Sequence, residues 1–139
     1  MTYRIVVGVD GSEHSNTALR WALKEAECHS GIVTAVLAWQ VPFLSFPGAF
    51  DRDELEKAYK EFLIETVSGI APKPAVPLET LVAEGDPTEA MVDASKGANL
   101  LVLGIRGRSP FAGLLLGSVS QGAAATAHCP VVLVKRTDD

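Results

Sequence analysis

Three short runs in this chain are apolar without interruption: Ile5-Val6-Val7-Gly8-Val9, Leu100-Leu101-Val102-Leu103 and Val131-Val132-Leu133-Val134. They are too short for buried helices and lack the alternation of a strand with one face in water, so they read as strands covered on both sides. Two further strands are expected at residues 32–41, closed by Pro42, and 78–83. Between them lie segments of helical period. One starts near Glu13, puts Ala18, Leu19, Ala22, Leu23 and Ala26 on a single stripe, and is stopped by Gly31. A second, from about Asp51, groups Leu55, Ala58, Tyr59, Phe62 and Leu63. A third opens on Asp86-Pro87-Thr88-Glu89, where Asp86 can cap, Pro87 suits the first turn, and Gly97 suits the exit. A fourth, rich in small residues, starts at Ser118, with Gln121 completing a capping-box spacing, and runs to about Ala127. Strands and helices that alternate in this way predict an α/β fold, one doubly wound parallel sheet in a single domain spanning 1–139.

Such sheets bind ligands beyond the carboxyl ends of their strands, where the strand order reverses. Two motifs sit at such ends. The first strand runs into Asp10-Gly11-Ser12, and the fourth into Gly104-Ile105-Arg106-Gly107, followed after nine residues by Gly117-Ser118. Glycines let a backbone approach a ligand closely, and a helix start offers free N–H groups and positive dipole to an anion. Arg106 and Arg108 add fixed positive charge beside the same place. The pattern describes a phosphate cradle.

A net charge of −5 disfavours nucleic-acid binding, because phosphate backbones attract basic faces. The start, Met1-Thr2-Tyr3-Arg4, enters a strand at once and leaves no room for a signal peptide. No window supplies the ~20 apolar residues of a membrane span. Cys28 and Cys129 form neither a framework nor a C-x-x-C pair, and read as reduced thiols of a cytoplasmic protein. His14, His29 and His128 show no metal-ligand spacing.

Other phosphate-binding designs fit less well. Gly117-Ser118 lacks the lysine of a Walker motif, and no G-x-G-x-x-G follows strand one. A phosphorelay receiver would share the topology but needs a phospho-acceptor Asp after strand three, where Asp86 already serves as a cap. No base–nucleophile pair or metal cluster for efficient hydrolysis is evident.

Val7-Gly8-Val9-Asp10-Gly11-Ser12 at the front, and Gly104, Gly107, Gly117 and Ser118 in G-x-x-G-x9-G-S spacing at the back, carry a resemblance. Over essentially all of its length the chain resembles the universal stress proteins, in their ATP-binding branch. The resemblance implies strand order 3-2-1-4-5, the flavodoxin-like topology of the adenine nucleotide alpha hydrolases. It implies ATP as ligand, with ADP and AMP as alternatives, and a homodimer joined through Val131–Val134. Carried over by position, Gly8 and Asp10 line the adenosine side, and Asp10 accepts from ribose hydroxyls or helps to hold Mg. The end of strand two, which falls near Trp39, contacts adenine through backbone. Gly104 and Gly107 approach the phosphates through backbone, with Arg106, Arg108 and Ser109 beside them. Gly117, Ser118, Val119 and Ser120 clasp the phosphate tail. The expected function is a nucleotide-dependent regulatory module of the stress response with unidentified protein partners. The alternatives are a slow ATPase or self-phosphorylating protein using Ser118 or Ser120, and an interaction protein indifferent to nucleotide.

Overall fold

The computed structural model describes residues 1–41, 48, 51–106 and 116–135. The elements are β1 (Arg4–Gly8), α1 (Glu13–Cys28), β2 (Ile32–Trp39), α2 (Arg52–Ile70), β3 (Leu78–Glu84), α3 (Pro87–Ala94), β4 (Leu100–Gly104), α4 (Ser118–Thr126) and β5 (Val131–Val134). All strand pairings are parallel, and the order across the sheet is β3-β2-β1-β4-β5. The chain therefore winds outward from β1 to β3, then crosses back to β4 beside β1. That reversal is the switch point, and it sets the ends of β1 and β4 side by side.

Strand parity divides the core in two, because successive side chains leave a strand on opposite faces. Ile5, Val7, Val33, Ala35 and Leu37 pack under α1 and α2, against Leu19, Ala22, Leu63 and Val67. Val6, Val36, Leu101 and Leu103 face the other way, against Met91 of α3 and Ala123 of α4. Continuous apolar strands are thus explained by a helix layer on each face.

The helix starts follow their local chemistry, with one exception. Ser12 caps α1 by accepting from the Ser15 N–H at 3.2 Å, Asp51 caps α2 through Oδ1, and Asp86 Oδ2 accepts from the Glu89 N–H at 3.1 Å. At α4 the expected Ser118 cap is not formed: Gly117 is the N-cap residue and Ser118 the first helical one. Gln121 does not close a capping box either, and its Nε2 donates to the Leu116 carbonyl at 3.0 Å. β2 ends at Trp39, two residues before the expected limit, and α3 ends at Ala94, with Gly97 supplying a positive φ of 77° in the turn beyond.

Among the described residues no helix is long and apolar enough to cross a membrane, and no group of three metal-ligating side chains forms. Both cysteines are free: Cys28 is exposed, while burial pushes the thiol of the half-buried Cys129 up.

Candidate functional site

A cavity of about 400 Å³ opens at the switch point, over the carboxyl ends of β1 and β4. Its lining comes from five places, one of them α1, which supplies Ser15. β1 and its exit supply Gly8, Val9 and Asp10, and β2 supplies Val36, Leu37 and Ala38. Pro87 and Met91 of α3 form one wall. Leu103, Gly104, Arg106, Gly117, Ser118, Val119 and Ser120 form the other.

The α4 side presents backbone donors to the cavity. The Gly117 N–H donates to the Ile105 carbonyl at 2.7 Å, which folds the chain back so that α4 starts beside the end of β4. Among the described residues no side chain caps this helix. The first-turn N–H groups of Ser118, Val119 and Ser120 have no partner one turn earlier in the helix, and all three residues line the cavity. The positive end of the helix dipole points the same way. Ser120 is buried and its Oγ donates to the Gly104 carbonyl at 2.7 Å, locking the helix start to the strand end.

The β1 side is a folded turn with one carboxylate. Asp10 Oδ1 accepts from the Ser12 N–H at 2.9 Å, and the Asp10 N–H donates to Ser15 Oγ at 3.2 Å. These bonds fix the carboxylate at the cavity rim. Gly11 takes a φ of 85°, the left-handed turn conformation that glycine adopts without strain. Between the carboxylate and the helix start, the cavity floor is apolar: Val36, Ala38, Met91 and Leu103.

Two glycines at this site are close-packed against different neighbours. A Cβ on Gly8 would stand 2.7 Å from Leu103 Cδ2 and 3.0 Å from Met91 Sδ, both side-chain tips that themselves line the cavity. A Cβ on Gly104 would stand 2.7 Å from the carbonyl carbon of His14 and 2.9 Å from its oxygen, which is helix backbone.

Of the residues singled out from sequence, Gly8, Asp10, Gly104, Arg106, Gly117, Ser118, Val119 and Ser120 all line this one cavity. Gly107, Arg108 and Ser109 lie outside the described residues. Trp39 is placed elsewhere. It is 4% exposed, its ring stacks on Tyr59 of α2 with centroids 5.7 Å apart, and its carbonyl accepts from the Gly85 N–H at 2.8 Å. Trp39 has the parity of Ala35 and Leu37, which sends its ring to the α2 face. The β2 contribution to the cavity is Val36, Leu37 and Ala38 instead. Sequence reading missed Met91 and Pro87, whose helix gave no chemical signal beyond its cap.

The family model of the universal stress proteins matches residues 1–135 of this chain. The chain belongs to the universal stress protein family. A universal stress protein of Mycobacterium tuberculosis is 37% identical over 146 aligned positions, covering 96% of this chain and 48% of the relative. The chain thus spans about half the length of the curated relatives it matches. Among solved structures, the universal stress protein UspA from Lactobacillus plantarum superposes with a TM-score of 0.80 at 26% identity, covering 95% of this chain and 97% of that one. The Archaeoglobus fulgidus universal stress protein in complex with dAMP gives 0.70 at 28% identity, covering 96% and 98%. A universal stress protein in complex with cAMP gives 0.72 at 29%, covering 96% and 97%.

Proposed function

We propose that this universal stress protein binds an adenine nucleotide in the switch-point cavity and serves as a nucleotide-dependent regulatory module. The observation that carries the reading is the uncapped start of α4, whose free N–H groups face an apolar slot with a single carboxylate on its far rim. The apolar floor formed by Val36, Ala38, Met91 and Leu103 suits a purine ring. Asp10 suits ribose hydroxyls, and the helix start with Arg106 suits phosphate. The relatives in complex with dAMP and cAMP support an adenine nucleoside carrying phosphate as the shared chemistry.

ATP with Mg is the finer proposal. Asp10 fits Mg, which takes one or two carboxylates and completes its shell with phosphate oxygens and water. Asp10 would hold the ion, and the ion would neutralise part of the phosphate charge. This chain's own residues would orient the nucleotide: Gly8 through the space it leaves, and Ser118, Val119 and Ser120 through their N–H groups, held at the end of β4 by the bond from Ser120 Oγ to the Gly104 carbonyl. Calorimetry on nucleotide-stripped protein with AMP, cAMP and Mg-ATP is the test. Saturable binding of at least one of the three at one site per chain is expected. A well-folded protein with no heat from any of them refutes the reading.

We also propose a homodimer through β5, which ends the sheet with Val131, Val132 and Leu133 half-buried and one backbone edge unpaired by the described strands. Such an edge is a template for pairing. Sedimentation at micromolar concentration should give twice the chain mass of 14.7 kDa. The monomer mass alone would exclude it.

A further inference from the structure

The sheet has a second concavity. On the α3 side, β2 is covered by α3 and β4 by α4, while β3 has its helix, α2, on the opposite face. On the face of β3 turned toward α3, Ala83 is half-buried, but no described helix lies over Leu81, which is 49% exposed, while Leu78 and Val82 on the other face pack against the α1–α2 core. Beside it runs a trough of about 310 Å³. Val36, Leu81 and Ala83 form its floor, and Ala90 and Ala94 of α3, one turn apart, form its side. Glu84, Asp86, Glu89 and Asp93 form the rim.

We propose that this trough is a docking site for a basic amphipathic helix of a partner protein, lying against α3 with its apolar stripe on Leu81 and Ala83. Three features select that occupant. The space lies on a sheet face beside an existing helix, where a doubly wound fold places a further helix. Ala90 and Ala94 keep the flank of α3 low, so a helix axis can approach closely. The rim is acidic in excess of its own cations. Arg52 pairs with Glu84 at 2.9 Å and Lys96 with Asp93 at 3.7 Å, whereas Glu89 sits on the rim with neither, and Asp86 is committed to the cap of α3. Lysines or arginines flanking the apolar stripe of an incoming helix would meet these carboxylates, a match that steers association and sets orientation more than it adds raw affinity.

The trough and the switch-point cavity meet only at Val36, which lines both, and the inference does not depend on what that cavity binds. α3 separates the two: Pro87 and Met91 face the cavity, and Glu89, Ala90, Asp93 and Ala94 face the trough.

The probe is a synthetic 18-residue helical peptide of leucines and lysines in amphipathic register, titrated into isotope-labelled protein and followed by amide chemical shifts. Saturable shifts centred on residues 79–95 and Val36 are expected, and Glu89→Lys with Leu81→Ser should weaken binding at least tenfold. Both positions are exposed, but a lysine at 89 opposes the dipole in the first turn of α3, so the double variant should melt a few degrees lower while keeping its chemical-shift dispersion. A peptide with glutamates in place of the lysines should not bind. Shifts centred on β5 or the outer face of α1, or equal binding to the double variant, would overturn the proposal. So would new exchange protection of the Thr80 and Val82 amides, which belong to the free edge of β3 and would mean an added strand, and so would no binding at all.

Discussion

Gly117→Asp is expected to stabilise the fold and abolish tight nucleotide binding in the same protein. Gly117 is the N-cap of α4 with φ −70° and ψ 163°, an extended conformation open to any residue, so the substitution brings no backbone strain. An aspartate there can accept from the first-turn N–H groups that glycine, with no side chain, leaves untouched, and its charge sits at the positive end of the helix. A few tenths of a kcal/mol from the cap and a similar or larger amount from the dipole give a gain of about 0.5–1 kcal/mol. The same donors are then taken from the ligand, and a fixed carboxylate stands where phosphate should lie. At an effective dielectric near 20, two unit charges ~4 Å apart repel by about 4 kcal/mol, so a loss of at least about tenfold in affinity is a conservative expectation. Thermal melting without ligand and calorimetry with AMP and Mg-ATP measure the two halves. A variant that is both more stable and equally able to bind would show that phosphate does not sit at this helix start.

The second large effect separates the two close-packed glycines. In Gly104→Ala the new methyl meets the backbone of His14 in the first turn of α1, which cannot turn away as a side chain can. Overpacking of this kind costs about 1–3 kcal/mol, and the rigid neighbour puts this case toward the upper end. The displacement also acts on the turn that holds Asp10 through Ser12 and Ser15, and on the carbonyl that accepts from Ser120 Oγ. Stability and nucleotide affinity should therefore fall together. In Gly8→Ala the methyl meets only the tips of Leu103 and Met91, which can swing aside into the cavity. Its stability should change by less than about 1 kcal/mol, while affinity drops because the space for the base is filled. Denaturant titration of both variants beside wild type, followed by calorimetry, reads the contrast. Equal stability losses would mean that α1 yields as easily as a side-chain tip.

The separation between these glycines was not visible in the chain. Gly8 and Gly104 both stand at the ends of apolar strands and look equivalent in sequence. Their difference is in what the fold brings opposite each one: flexible side chains in one case, a helix backbone in the other. Ser118 shows the same limit at shorter range. Ser, Gln and a following run of small residues are a helix start by any local rule, yet the hydrogen bond from the Gly117 N–H to Ile105, made across the strand end, shifts the cap by one residue. That one residue matters, because a Ser cap would have taken a donor that the site leaves free.

What the sequence determined by itself is the architecture and the place of the switch-point cavity. Unbroken apolar runs require cover on both faces, their alternation with amphipathic segments requires crossovers, and together they require a parallel sheet with an opening where its order reverses. Asp10 and Gly104, at the ends of strands one and four, had to lie near that opening once those strands became neighbours. Which side chains line it was decided only in three dimensions. Trp39 turned to the α2 face because strand parity tied it to Ala35 and Leu37, while Val36 and Ala38 took the cavity side. Met91 and Pro87 entered the lining because α3 leans on β2, and Leu81 of β3 stayed exposed because no described helix lies over it. Periodicity is a property of each segment alone, whereas facing partners depend on how segments register against one another, and that is set by packing.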